Sequence, residues 1–146
     1  MEIESVHSEL DRQLAFVIDD EAAIRQLVAT TLAEQGYKTE SFVTAKDALV
    51  AFGCNHPAVI FLDVALLQSD AIDVLIGLGA QKYGGIVNLM SGGRPELVEA
   101  VRRLGVRHGV TLAPSLNKPF GRAAIVQALA GIDSLLAVSP PLPAQA

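Results

Sequence analysis

Short apolar segments alternate with segments of helical periodicity along most of this 146-residue chain. The first apolar run, Leu14 to Ile18, stops at two aspartates, and apolar residues then recur at helical spacing through residues 21–35. Strands that are apolar on both faces must be covered on both faces, and connecting helices provide that cover when the strands are parallel. The pattern predicts strands at 14–18, 37–42, 58–62, 86–90 and 110–116, and helices at 21–35, 45–52, 70–78, 95–108 and 121–136.

This alternation predicts a flavodoxin-like α/β fold, a three-layer sandwich with a parallel five-stranded sheet of order 2-1-3-4-5. Pro114 cannot donate a ladder hydrogen bond, which suits an edge position for the fifth strand. Asp20 is the predicted N-cap of the first helix, and Gly36 is its predicted C-cap. In this topology the ligand crevice lies where the C-terminal ends of strands one and three diverge.

The chain is long enough for one domain with its own core, because 51% of its residues are hydrophobic. We expect the folded domain at residues 13–132, after a polar N-terminal extension at residues 1–12. Residues 133–146 are expected to form the end of the last helix and a Pro/Ala-rich tail or linker.

Charge and cysteine content exclude some partners. A net charge of −5 without a block of Lys and Arg does not suit a row of phosphates, so we expect no direct contact with nucleic acid. No apolar run approaches the ~20 residues of a membrane span, so we expect no membrane contact either. The single Cys54 indicates a reducing cytoplasm and is expected to be a small packing residue. The histidines, at positions 7, 56 and 108, have no metal-ligand spacing and are expected on the surface or in loops.

Three aspartates follow the strands that flank the predicted crevice. Asp19 and Asp20 follow the first strand, and Asp63 follows the third. Any one of them alone is more often a helix or turn cap than a functional group. Three carboxylates at one point would repel each other, and a hard cation such as Mg²⁺ relieves that repulsion with oxygen ligands. The three together therefore predict a metal site.

The next two strands end in a hydroxyl and an ammonium group. Ser91 follows the fourth strand and Lys118 the fifth. A hydroxyl can donate to a phosphoryl oxygen, and a lysine can balance the charge of a transferred phosphate. Each residue alone is typical of a turn or of solvated surface, so the prediction rests on their coincidence at successive strand ends.

Four separated segments carry a family resemblance. They are VIDDE at 17–21, FLDV at 61–64, LMSG at 89–92 and KPF at 118–120. In this order and context they resemble the motifs of response-regulator receiver domains, the CheY-like superfamily of bacterial two-component systems. The resemblance covers about residues 13–132.

The resemblance implies that Asp63 accepts a phosphoryl group, with Ser91 and Lys118 binding the transferred group. It also implies a cis peptide bond between Lys118 and Pro119. The implied cofactor is Mg²⁺, or Mn²⁺ in its place. Its implied protein ligands are Asp19, Asp20, Asp63 and the backbone carbonyl of Ala65.

A sensor histidine kinase or a histidine phosphotransfer protein is the implied phosphoryl donor. A homodimer or a C-terminal effector domain is the implied route for output. Such a domain transfers a phosphoryl group to itself and loses it again, so we do not expect an enzyme that turns over an external substrate.

The sequence departs from the family pattern in three places. The loop after Asp63 lacks the proline and glycine expected there, and Ser115 stands where many receivers carry an aromatic switch residue. The interval from Ser91 to Lys118 is long and looks loosely similar to receivers that precede EAL-type phosphodiesterase domains. Without the aromatic residue, we expect the signal to leave through the loop after Ser91 and the fourth helix. Leu97, Val101, Arg102 and Leu104 are candidates for a partner-binding face there; the alternative is that the apolar ones among them pack on the sheet.

Alternatives from other classes stay open. A small metal-dependent aspartyl phosphatase would share the nucleophile, and turnover of a phosphomonoester would identify it. A receiver-like binding module that signals without phosphate would be expected to have lost an acidic or lysine residue of the site. A flavodoxin is disfavoured because the loop at 19–22 is acidic where a phosphate-binding loop would be rich in glycine or hydroxyl groups.

Overall fold

A computed structural model describes residues 10–66 and 68–138 of the chain. The predicted tail beyond residue 138, His7 and most of the predicted N-terminal extension lie outside these ranges. The elements are β1 (Leu10–Ile18), α1 (Ala22–Glu34), β2 (Lys38–Phe42), α2 (Ala45–Phe52), β3 (His56–Asp63), α3 (Gln68–Ala80), β4 (Ile86–Ser91), α4 (Pro95–Arg107), β5 (Thr111–Leu112), β6 (Leu116–Asn117) and α5 (Arg122–Val138).

The strands form one parallel sheet in the order β2-β1-β3-β4-β5, with β6 also paired to β4. This confirms the predicted flavodoxin-like fold and strand order. The register places Val17 beside Phe61 and Asp63 beside Met90, so the ends of the central strands lie at one edge.

Two apolar layers cover the sheet, one on each face. Helices α2, α3 and α4 pack on the layer that contains Ile60 and Leu62. Helices α1 and α5 pack on the layer that contains Val59 and Phe61. Successive residues of β3 thus point to opposite layers, which explains why its sequence is apolar without alternation.

The predicted fifth strand, 110–116, is interrupted. Val87 is in register with Leu112, but Met90 is in register with Leu116, so the edge segment contains one residue more than the stretch of β4 that it passes. We call residues 113–115 the edge bulge. Pro114 lies at its centre and has no N–H to donate, which explains why regular pairing stops there.

Helix α1 does not begin as predicted, because Asp20 is not its N-cap. The residue before the helix is Glu21, which has an extended backbone and makes no side-chain capping bond. The Glu21 N–H instead donates to Asp19 Oδ1 at 2.8 Å, so the acidic loop is organised around Asp19. The C-cap is Gln35, one residue before the predicted Gly36. Gly36 follows it with a φ of +96°, a conformation that favours glycine.

Two minor predictions are wrong. His56 is not a surface or loop residue: it begins β3 and stacks on Phe52 with ring centroids 4.1 Å apart. Cys54 is exposed and is not a packing residue. Across the described ranges, none of the helices combines the length and apolarity needed to cross a membrane.

Candidate functional site

The C-terminal ends of β1, β3, β4 and β6 bring four predicted site residues to one edge of the sheet. Asp63 and Ser91 are the last residues of their strands, and Asp19 and Lys118 directly follow theirs. Asp19, Asp63 and Ser91 are buried, and Lys118 is half-buried. The fold therefore holds these polar groups together within a mostly apolar surrounding.

The three predicted aspartates form a cluster. One carboxylate oxygen of each of Asp19, Asp20 and Asp63 lies within 4.8 Å of the others. Asp19 and Asp63 are buried, whereas Asp20 is exposed at the mouth. The predicted convergence of the three carboxylates is confirmed.

Lys118 places a positive charge against this cluster. Its Nζ lies 2.9 Å from Asp19 Oδ2, 3.2 Å from Glu21 Oε1 and 3.5 Å from Asp63 Oδ2. Burial alone would lower the lysine pKa, but the interaction with Asp19 and the charge of Asp63 outweigh burial and raise it. Lys118 therefore stays protonated and offsets part of the carboxylate repulsion.

The sequence analysis missed the role of Glu21 beside Lys118. Glu21 was placed at the start of a helix and in the VIDDE motif without a role of its own, although it is the third acidic residue of the run that begins at Asp19. Its side chain is 62% exposed, so it reaches Lys118 from the solvent side of the site. The length of the acidic run was the available signal.

Burial raises the pKa of Asp63, and the neighbouring Asp19 carboxylate raises it further. Hydrogen bonding from Ala65 N–H and the charge of Lys118 act in the opposite direction without cancelling the effect. The Ala65 N–H donates to Asp63 Oδ1 at 3.0 Å, which fixes the orientation of the carboxylate. The loop that lacks the expected proline and glycine thus still begins with a turn organised by Asp63.

The raised pKa of Asp63 leads to a pH-dependence prediction. The stabilising contribution of such a group is fully present below its unfolded pKa of 3.8 and is lost as the pH rises through the folded-state pKa. Without divalent cations, the wild type should therefore lose stability relative to Asp63→Asn as the pH rises above 3.8. Urea unfolding of both proteins over a pH series, with chelator present, measures this difference. A difference that does not change with pH would contradict the prediction.

The loop that carries Asp19 is braced on two sides. Asp19 N–H donates to the Phe42 carbonyl at 3.1 Å, and Arg25 Nη1 donates to the Asp19 carbonyl at 2.9 Å. Arg25 lies on α1 and was not predicted as part of the site, because a lone arginine on a helix gives no sequence signal. These bonds hold the acidic loop before any cation binds.

Ser91 lies on the opposite side of Asp63 from the acidic loop. Its Oγ accepts a long hydrogen bond from Arg94 N–H, at 3.4 Å, and its carbonyl accepts from Lys118 N–H at 2.6 Å. Gly93, in the loop that follows, has a φ of +93°. The Lys118–Pro119 peptide bond is cis, as the resemblance implied.

The proposed partner face on α4 is only partly as predicted. Val101 is buried against the sheet, and the Arg102 guanidinium points to the edge bulge, where Nη2 donates to Ser115 Oγ at 2.9 Å. Leu97 is partly buried against the core, and Leu104 is half-buried. The predicted face is therefore wrong for Val101 and Arg102, which make internal contacts.

Comparison with known proteins gives a consistent family assignment. The family model described as "Response regulator receiver domain" matches residues 15–130. A probable transcriptional regulator, ycf27, of Cyanophora paradoxa is 32% identical over 66 residues, which cover 45% of this chain and 28% of that protein. The regulatory protein AtoC of Escherichia coli is 32% identical over 59 residues, which cover 40% of this chain and 13% of AtoC. The matched segments thus span less than a third of these relatives.

Solved structures agree with the fold. The receiver domain of NtrX from Brucella abortus is 28% identical, with a TM-score of 0.69 over 81% of this chain and 96% of that one. A CheY-like response regulator receiver domain protein from Methanospirillum hungatei has a TM-score of 0.73 at 15% identity, over 88% of this chain and 100% of that one. The second match concerns the fold alone, because its sequence identity is low.

Proposed function

Because this chain belongs to the family of response regulator receiver domains, we propose that Asp63 is its phosphoryl acceptor. The observation that carries the proposal is the position of Asp63: a buried carboxylate 3.5 Å from the Lys118 ammonium and inside a cluster of three aspartates. Phosphorylation of such a carboxylate changes the charge at a point where four strand ends meet, which suits a switch.

The proposed chemistry needs one nucleophile and one fixed positive charge. A carboxylate oxygen of Asp63 attacks the phosphorus of a phosphohistidine, the phosphorus–nitrogen bond breaks, and the released imidazole nitrogen takes a proton from solvent. Lys118 Nζ balances charge on the transferred group, and Ser91 Oγ donates a hydrogen bond to it. Later a water attacks phosphorus, the bond to Asp63 breaks, and inorganic phosphate and a proton are released.

The donor set fits a hard divalent cation. All three clustered side chains offer oxygen; Asp19 Oδ1 accepts the Glu21 N–H, and Asp19 Oδ2 lies beside the Lys118 ammonium. Mg²⁺, or Mn²⁺, would be held by Asp19, Asp20, Asp63 and the Ala65 carbonyl. When bound, it would supply positive charge to the phosphoryl oxygens.

The proposed donor partner is a sensor histidine kinase or a histidine phosphotransfer protein. The curated relatives are much longer than their matched segments, and they are named as regulators, so we propose output through a linked effector domain or a homodimer. An EAL-type output domain stays a prediction. We also propose a cytoplasmic location and no direct contact with nucleic acid or membrane by this domain.

The direct test is phosphorylation by a small donor. Purified protein incubated with acetyl phosphate or phosphoramidate and Mg²⁺ should gain one phosphoryl group by intact-mass spectrometry, and chelator should suppress the gain. A parallel assay of phosphomonoester turnover tests the aspartyl phosphatase alternative, for which we expect no activity. A chain that gains no phosphoryl group under any of these conditions would favour a phosphate-independent module.

Replacement of Asp20 tests the metal site. Asp20→Ala should weaken Mg²⁺ binding by at least about tenfold and slow phosphorylation, because it removes a charged oxygen ligand. The metal-free protein should not lose stability, since Asp20 is exposed and does not cap α1. Calorimetric Mg²⁺ titration measures the effect, with Asp73→Ala as the control, because Asp73 is an exposed aspartate on α3. Equal Mg²⁺ affinity in Asp20→Ala and wild type would remove Asp20 from the site.

A further inference from the structure

One nitrogen of Arg102 joins α4 to the edge bulge. Its Nη2 donates to the Ala113 carbonyl at 2.9 Å and to Ser115 Oγ at 2.9 Å. Arg102 and Ser115 are both partly buried, so these bonds are shielded from competing water. Neither residue belongs to the proposed phosphoryl site.

Within the edge bulge, the backbone bond to the sheet is the one from Ala113 N–H to the Val87 carbonyl at 2.9 Å. Strands β5 and β6 are each two residues long, and the register changes between them. Alternate carbonyls of a parallel strand point to the same neighbour, so the Leu89 carbonyl points toward the bulge like those of Val87 and Ser91. The buried Asn88 Nδ2 donates to the Leu89 carbonyl at 3.2 Å, which supplies a hydrogen bond where pairing is interrupted.

The edge bulge is connected to the site by two short routes, one through β6 and one through α4. Two residues of β6 separate it from Lys118, whose N–H donates to the Ser91 carbonyl. Helix α4 begins at Pro95, four residues after Ser91. The bonds of Arg102 therefore connect α4 to the edge bulge. A continuous set of covalent and hydrogen bonds then links Ser91, α4, the edge bulge and Lys118.

We propose that Arg102 is a positioning residue that couples α4 to Lys118 through the edge bulge. It holds the short β6 segment in register, which keeps Lys118 Nζ near Asp63, and it transmits a change at the phosphorylated site to α4. This inference rests on the proposed function. It assigns to a hydrogen-bonded arginine and serine the connection that the absent aromatic residue at position 115 cannot make.

The geometry provides a sharp set of variants. Arg102→Met removes the donors but keeps much of the side-chain length. Arg102→Lys should restore part of the function, because both acceptors bond to a single nitrogen and an ammonium group has three donors. Arg103→Met is the matched control, since Arg103 is the next residue of α4, with a side chain 73% exposed and an ion pair to Glu99. Ser115→Ala removes one of the two acceptors.

The first measurement is the rate of phosphorylation by phosphoramidate with Mg²⁺, followed by intact mass. Displacement of a catalytic group by ~1 Å can cost about a hundredfold in rate, so Arg102→Met should be about ten- to a hundredfold slower. Arg102→Lys and Ser115→Ala should fall between Arg102→Met and wild type. Arg103→Met should match wild type.

The second measurement separates coupling from general loss of stability. Amide hydrogen exchange is recorded with Mg²⁺, with and without beryllofluoride, for each variant. In the wild type the largest change should fall between residues 91 and 116, and in Arg102→Met the response of α4 should be lost while that of the loop after Ser91 remains. If Arg102→Met does not fold, the comparison of Ser115→Ala with Arg103→Met decides instead.

Three outcomes would overturn the inference. A wild-type rate and a wild-type α4 response in Arg102→Met would show that the contact does not couple the two regions. Equal effects of Arg102→Met and Arg103→Met would reduce the role of Arg102 to general helix stability. A wild-type chain that is never phosphorylated would refute the proposed function, and this inference with it, whereas the first two outcomes leave the proposed function intact.

Discussion

Asp63→Asn is expected to gain no phosphoryl group from acetyl phosphate or phosphoramidate at any Mg²⁺ concentration. The amide nitrogen and oxygen of asparagine are poor nucleophiles toward phosphorus, and the substitution keeps nearly the same shape, so the loss is chemical rather than structural. The Ala65 N–H can still donate to the side-chain oxygen that replaces Asp63 Oδ1. Intact-mass spectrometry under conditions that label the wild type measures the effect.

The clustered carboxylates make the identity of the acceptor a real question. Asp19 and Asp20 lie close enough to Asp63 to compete for the donor. Peptide mapping of the labelled wild type, after borohydride reduction of the acyl phosphate, identifies the acceptor independently of mutagenesis. Labelling of Asp63→Asn to the wild-type level would show that another residue accepts the phosphoryl group.

After Asp63→Asn, Lys118→Met is expected to have the next largest effect. It should slow phosphorylation and lower the free energy of unfolding of the metal-free protein. Removal of a preorganised charge from such a site costs about a hundred- to a thousandfold in rate. Asp19 is fully buried and has Lys118 Nζ at 2.9 Å, and loss of one partner of a buried pair typically costs about 3–5 kcal/mol. We place this cost just below that range, at about 2–3 kcal/mol, because the Lys118 side chain is only partly buried, with 15% of its surface exposed to solvent.

A comparison of stability with and without Mg²⁺ is the internal control for the Lys118→Met prediction. A divalent cation bound by the same carboxylates replaces part of the missing charge, so saturating Mg²⁺ should restore more stability to Lys118→Met than to wild type. Urea unfolding with Mg²⁺ and with chelator measures both differences. Lys46→Met, on the exposed side of α2, is the matched control and should behave as wild type. A variant whose stability does not respond to Mg²⁺ would contradict the proposed sharing of charge.

The fold could be predicted from the sequence because the central strands have a distinctive apolar pattern. Residues 14–18 of β1, 58–62 of β3 and 86–90 of β4 are buried on both faces, so each reads as an apolar run, interrupted only at Asn88, with a polar residue after it. Topology then determined which polar ends meet, and three aspartates, a serine and a lysine were predicted without coordinates. Their proximity is confirmed, whereas their chemical roles stay predictions.

What the sequence did not predict depends on hydrogen bonds between distant segments. Asp20 was expected to cap α1, but the loop is organised around Asp19, whose backbone bonds to Phe42 and Arg25 come from other elements. Arg102 looked like an exposed helix residue, because nothing in its neighbours along the chain indicates a contact with Ser115. The edge bulge was missed because a one-residue change of register is invisible without the partner strand.

The two apolar layers of the sheet have a consequence for how the sequence can diverge. Ile60 and Leu62 pack with one set of helices, and Val59 and Phe61 pack with the other. Neighbouring residues of one strand therefore contact different sets of side chains. Substitutions that lack shared contacts usually have additive effects on stability, whereas those within one layer must compensate each other. Related chains can therefore exchange the residues of one layer without adjusting the other. Epistasis should follow the two layers rather than distance along the chain.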